Sequence, residues 1–329
     1  MPDSAPSIPK HSSVKTLLNG LFDYAGLFPP ASLSMQDAIL EYLDHRADPD
    51  AWMMGPFVVP VSRLDEVLSF SALFSASSPV SFDVLPRRAP SIDAFCASLS
   101  EDLVSSTRFL EQMQGKARID ALEFSFPPDA LINGEIAVRS INRIQSILES
   151  TELHSLSVFG EIQRTERYLQ QLPLYFLGLA SQPASGLSIS GKIRCGGMNP
   201  EDFPSPFELA SFLHTAVRVN HPFKATAGLH HPLRHFNAVQ GVKMHGFVNV
   251  FLATTLARAH DLDPASIQTI LEDESPENFE FTPSGVRWKD LVASTTSLLQ
   301  TRSSLGLSIG SCSFTEPRED LHHLGWLTR

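Results

Sequence analysis

The sequence predicts an α/β fold: a closed (β/α)8 TIM barrel, a single domain with an insertion before its last strand. Three observations carry this reading. Eight short apolar runs recur along the chain, and they are continuous rather than alternating, as befits parallel strands buried on both faces. Each run is followed by a stretch of helical periodicity, which makes βαβ units. Eight such units in 329 residues suit closure into a barrel. The alternative, an open doubly wound sheet, would favour a Gly-rich dinucleotide fingerprint that the chain does not contain.

In chain order, residues 1–13 are polar, rich in Pro and Ser, and read as a loose tail ahead of a barrel spanning 14–329. The predicted strands are Gly20–Ala25, Gly55–Val61, Val80–Leu85, Ile119–Ser125, Leu156–Ile162, Ser188–Arg194, Phe223–Gly228 and Ser308–Ser313. Helical patterns cover roughly 34–46, 62–74, 91–115, 133–150, 164–181, 205–219 and 245–260, with a last one near 316–325. Residues 262–306 break the rhythm with a helix-like piece, an acidic patch (Glu272, Asp273, Glu274) and the short runs Phe279–Thr282 and Gly285–Trp288. This segment reads as an insertion, a hairpin plus a helix, because it is too short for a core of its own.

Composition narrows the function. Hydrophobic residues make up 43% and charged residues 19%, an ordinary globular balance. No stretch approaches the ~18 apolar residues of a membrane span. The formal net charge of −11 has the wrong sign for phosphate backbones or anionic lipid, so neither nucleic acid nor membrane is an expected partner. The three cysteines (Cys96, Cys195, Cys312) form no CxxC, and an odd count without a secretory leader points to a reducing, cytoplasmic compartment. No cofactor is expected. The partner expected is a small-molecule carbonyl or anionic substrate, and a homo-oligomer is compatible with the sequence.

In such a barrel, polar residues at the C-terminal strand ends line the active site. The sixth strand carries Lys192 and Arg194 on one face and runs into Gly196 and Gly197; the seventh carries Lys224, Thr226 and Gly228 on one face. If both faces point inward, two lysines and an arginine converge. Buried cations raise one another's energy, so one lysine would lose its proton and become the neutral amine that forms a Schiff base. The glycines would let backbone approach a ligand. Two other readings stay open: one lysine snorkels outward while the other pairs with a carboxylate, or the cations clamp an anionic substrate. Carboxylates for proton transfer are Asp23, Asp83, Asp120, Glu123 and Glu161. Asp120 and Glu123 differ in parity, so at most one of them faces inward.

Four histidines, His230, His231, His235 and His245, cluster after the seventh strand. His231 and His235 would share a helix face if Pro232 opened a turn, and with Glu161 or Asp23 they could complete a metal site. No established metal motif is matched, so substrate-binding or general-acid roles are favoured and activity without a divalent ion is expected. Cys195 and Cys312 read as small packing residues.

Five segments resemble the class I aldolases typified by deoxyribose-phosphate aldolase. Phe22-Asp23-Tyr24-Ala-Gly-Leu27-Phe28-Pro29-Pro30-Ala31-Ser32 resembles that family's first-strand signature. Ala117-Arg-Ile-Asp120-Ala-Leu122 resembles the strand with an active-site Asp, and Gly191-Lys192-Ile-Arg-Cys-Gly196 the strand with the Schiff-base lysine. Phe223-Lys224-Ala-Thr-Ala-Gly228 resembles the next strand, whose lysine tunes the first, and Ser308-Ile-Gly310-Ser311-Cys312-Ser313 the phosphate-binding end of the last strand. The resemblance implies Lys192 as nucleophile, Lys224 as its tuning neighbour, and Asp120 or Asp23 as proton carrier. Arg194, Gly196, Gly197, Thr226, Gly228, His230, His231, Glu161, Gly310 and Ser311 would bind substrate. The chain departs from the family at Arg194 and Cys195, where it has small hydroxyl residues, at His230 and His231, where it has an apolar residue and an arginine, and at Phe314, where it has glycine. A different aldehyde or keto acid is therefore expected. The expected reaction is a Schiff-base carbon–carbon lyase. The alternatives are a metal-assisted lyase, isomerase or hydrolase using His230 and His231, and a non-catalytic barrel binding a small anion.

Overall fold

A computed structural model describes residues 7–153, 156–183 and 186–328. Eight parallel strands form a closed barrel: β1 (Phe22–Tyr24), β2 (Met54–Pro60), β3 (Val80–Leu85), β4 (Ala117–Ser125), β5 (Ser157–Glu161), β6 (Ile189–Arg194), β7 (Phe223–Thr226) and β8 (Gly306–Ser311). The order around it is β8-β1-β2-β3-β4-β5-β6-β7, and β8 pairs with both β1 (Gly310 opposite Asp23) and β7 (Gly310 opposite Thr226). Every expected strand is present. Among the described residues no helix is long and apolar enough to cross a membrane.

The chain divides into two compact units. One holds β1, β7, β8 and the segment before β8. Its helix Phe247–His260 is buried from Phe247 to Ala257, because the sequence is apolar on every face. The expected insertion consists of helix Pro264–Glu272, a three-stranded antiparallel sheet (Phe279–Thr282, Gly285–Trp288, Leu291–Ser294) and helix Thr295–Ser304, one strand more than a hairpin. It is fastened by Arg302, whose guanidinium donates to the carbonyls of Leu17 (2.8 Å), Asn19 (3.1 Å) and Gly306 (2.5 Å).

The expectation of a loose tail over 1–13 fails from residue 7 onward. Ser7 donates to Asp50 from its backbone (2.9 Å) and its hydroxyl (2.6 Å), Ile8–Pro9 pairs antiparallel with Leu327–Thr328, and a helix begins at Ser12. Residues 1–6 of that expectation lie outside the described residues. Polar composition hid the order here because a buried carboxylate supplies it rather than apolar packing.

The second unit holds β3, β4, β5 and most of β2 and β6. Two of its helices, Ile92–Met113 and Gly134–Glu149, start at side-chain caps: the Ser91 hydroxyl accepts from Ala94 N (3.3 Å) and the Asn133 side chain from Ile136 N (2.9 Å). The helix expected over 62–74 is only Leu64–Leu68, flanked by 3-10 turns at Val61–Arg63 and Ser71–Leu73. Ser69 and Ser71 follow it, a residue type that competes with helix continuation.

Candidate active site

In the second unit, three adjacent strands bring one lysine and two carboxylates together. Lys192 on β6 places Nζ 2.5 Å from Glu123 Oε2 on β4 and 3.1 Å from Glu161 Oε2 at the end of β5, with all three side chains at most 5% exposed. Parallel register sets this up, because Glu161 stands opposite Lys192, and Glu123 opposite Phe159. Ser125 Oγ donates to Glu161 Oε1 (3.0 Å) and so orients that carboxylate. Tyr175 fastens the strand pair beneath them: its hydroxyl accepts from Lys192 N (2.8 Å) and donates to the Gly160 carbonyl (2.5 Å). Burial pushes this phenol far up, so it keeps the proton it donates. Gly160 is required where it stands, since a Cβ would lie 2.5 Å from Phe126.

Asp120, the acid implied by the resemblance, faces away. Its carboxylate accepts from Ser81 Oγ (2.5 Å) and Arg118 Nε (2.6 Å), with the side chain 41% exposed. The β3–β4 pairing passes from Phe82 opposite Ile119 to Asp83 opposite Ala121, which leaves Asp120 unopposed at a bulge. The parity argument thus resolves in favour of Glu123.

In the first unit, Lys224 on β7 is fully buried and ion-paired to Asp23 on β1, whose Oδ2 also accepts from Ser308 Oγ on β8 (2.8 Å). Gly55 makes room for this carboxylate, because a Cβ there would sit 1.9 Å from Asp23 Oδ1. Each lysine is therefore neutralised within its own cluster. Arg194, expected to join them, is exposed at the last position of β6. The expectation of unscreened converging cations is corrected accordingly: strand parity places the lysines inward but does not reveal which acids meet them.

The expected binding glycines serve packing. A Cβ on Gly196 would lie 2.9 Å from Gly228 Cα, and one on Gly228, at φ +69°, would lie 2.8 Å from the Cys195 carbonyl. These glycines let the ends of β6 and β7 touch each other. Gly197 likewise abuts Asp202, 2.4 Å from where its Cβ would be. Ser311 Oγ donates to the Ser313 carbonyl (2.7 Å), and Gly310 accepts a long hydrogen bond from Ala227 N (3.4 Å). Thr226 Oγ1 is buried with no hydrogen-bond partner among the described residues.

The histidines separate into distinct roles. His245 is buried and held on both ring nitrogens, Nδ1 by Arg234 (3.2 Å) and Nε2 by the Pro204 carbonyl (2.8 Å). His231 Nδ1 is held by Asp320, and its ring meets His235 edge to face at 4.1 Å, rather than both aiming at a shared point. Pro232 does not start a helix; His235 begins a short strand. Burial, and then the His231 charge, hold His235 below the usual histidine range. His230 lies with Nδ1 3.3 Å from Glu316 Oε2 and lines a cavity of about 100 Å³ with Gly197, Gly228, His231, Gln240 and Glu316.

Sequence reasoning passed over Ser308 and Glu316 and did not rank Glu123 first. Ser308 shares strand parity with Gly310, a usable signal; Glu316 sits on the helix after β8, and nothing local marks it. No family model and no curated protein matches the chain.

Proposed function

We propose that this protein is a carbon–carbon lyase that binds a small carbonyl substrate as a Schiff base on Lys192. The observation that supports it is the placement of Lys192 Nζ between Glu123 and Glu161, on three adjacent barrel strands. Burial disfavours separated charges, so an ammonium–carboxylate pair and an amine–carboxylic acid pair lie closer in energy there than in water. Proton transfer from Lys192 to Glu123 frees the amine. The nitrogen attacks the carbonyl carbon, a C–N bond forms, and the carbonyl oxygen takes a proton from the acid. Loss of water breaks the C–O bond and leaves a protonated imine, which is an electron sink for cleavage of the neighbouring C–C bond. Glu161, braced by Ser125, takes the hydroxyl proton in that step and then delivers it to the enamine carbon; water adds to the resulting imine carbon, the C–N bond breaks, and the product carbonyl leaves with Lys192 and both carboxylates restored. Two carboxylates beside one lysine let one hold a proton while the other remains a base.

Lys192→Met should abolish turnover and imine formation with short aldehydes and 2-keto acids. Glu161→Gln should keep imine formation while lowering turnover about 10²–10⁴-fold, the range for a lost acid–base group. A Lys192→Met enzyme that retains turnover would reject the mechanism.

A further inference from the structure

In the second unit, helix Tyr168–Ala180 carries no charged residue. The uncharged stretch continues to Gly191, 24 residues in all, and is the longest in a chain with 25 Lys and Arg and 36 Asp and Glu. The adjacent helix Gly134–Glu149 is ordinary in this respect, with Glu135, Arg139, Arg143 and Glu149. Burial explains the apolar character of helix Phe247–His260 but not of this one. Tyr168, Leu172, Tyr175, Phe176 and Leu179 pack inward, whereas Leu169, Pro173, Leu177 and Ala180 are exposed, Leu169 at 44% and Leu177 at 53%. Spacings of three and four place these exposed residues on one stripe of the helix. Leu177 Cδ2 lies 3.1 Å from where a Cβ on Gly134 would be, so the stripe borders the segment just before that helix, where Ile132 is 51% exposed.

A single exposed leucine is normal on a protein surface, but a continuous apolar stripe on a helix without charge marks a docking face. Charge decides what fits it. Two copies of this chain, each with a net charge of −11, repel across their charged surfaces. A two-fold axis sets one face against itself, so any net charge on that face opposes its own image. This stripe carries none, so two copies can meet on it without opposing like charges. A partner selected for opposite charge would find nothing on it to pair with, and anionic lipid is repelled by the same net charge.

We propose that the stripe Leu169, Pro173 and Leu177, together with Ile132, is the surface through which two copies of this chain associate as a two-fold dimer. The contact is isologous: Leu169 and Leu177 of one copy meet the same stripe of the other. Association is driven by removing these side chains from water. The opposing force is the repulsion between two acidic chains, which salt screens, so the dimer tightens as ionic strength rises. This inference does not depend on the lyase reading.

The test is analytical ultracentrifugation of the full chain from about 1 to about 100 μM, at low and at high salt. The parent is expected to reach twice the chain mass at the upper end of that range, and at lower concentration when salt is raised. Leu177→Asp places a carboxylate on each of the two facing stripes and should weaken the dimer at least about a hundredfold. Leu169→Asp should do the same and decides the matter if Leu177→Asp does not fold. Leu40→Asp, at a leucine 46% exposed on helix Met35–Ala47, should leave the dimer unchanged. A parent that stays monomeric across the range, a dimer that survives the stripe variants, or a dimer lost equally in Leu40→Asp would overturn the proposal.

Discussion

Replacing Lys224 by Met removes one member of a buried ion pair and keeps roughly the side chain's volume. In the parent, Lys224 is 0% exposed, Asp23 is 3% exposed, and the Asp23 carboxylate is otherwise held by Ser308 at 2.8 Å. Lys224→Met therefore leaves a buried carboxylate with its cation gone. Breaking such a pair from one side costs about 3–5 kcal/mol, much of it the penalty of the orphaned charge rather than the worth of the bond. Asp23→Leu strands the ammonium and should cost a similar amount. The double variant removes both charges and should recover most of the loss, so the single effects should not add. Urea unfolding of the four proteins, followed by near-UV circular dichroism, measures this, with the mid-barrel signal analysed as one transition only if probes coincide. A Lys224→Met protein within about 1 kcal/mol of the parent, or strictly additive singles, would refute the reasoning.

Three further predictions rest on other parts of the chain. His230 has a folded value raised to about 9, so its protonation stabilises the fold below its unfolded value of about 6.5, and this contribution is lost as pH rises through about 9; a stability profile across that window should flatten in His230→Gln. Gly228→Ala should lower Tm several degrees, since Gly228 combines φ +69° with a Cβ 2.8 Å from the Cys195 carbonyl, whereas Gly241→Ala, at φ +65° in open space, should cost only about 1 kcal/mol. Imine formation should survive a chelator; its loss in chelator and return with zinc or manganese would instead support a metal-assisted reaction.

The barrel strands were legible because each is a continuous apolar run, and Lys192 and Lys224 stood out as cations within such runs. Their inward direction followed from strand parity. Their partners did not, because pairing depends on register between strands far apart in sequence: Glu123 reaches Lys192 only because β5 aligns Glu161 opposite it and Phe159 opposite Glu123. Asp120 misled through a local resemblance that a bulge overrides. Gly196 and Gly228 announced close approach correctly but not to what, and Ser7 gained order from Asp50, a contact across 43 residues that no local pattern records.

On the proposed mechanism, Lys192 is the amine that captures the carbonyl. Borohydride reduction of the parent protein in the presence of a turned-over substrate, followed by peptide mass mapping, tests it most directly. One stable adduct on Lys192 and none on Lys224 is the expected result. An adduct on Lys224, or none while the substrate is consumed, would contradict it.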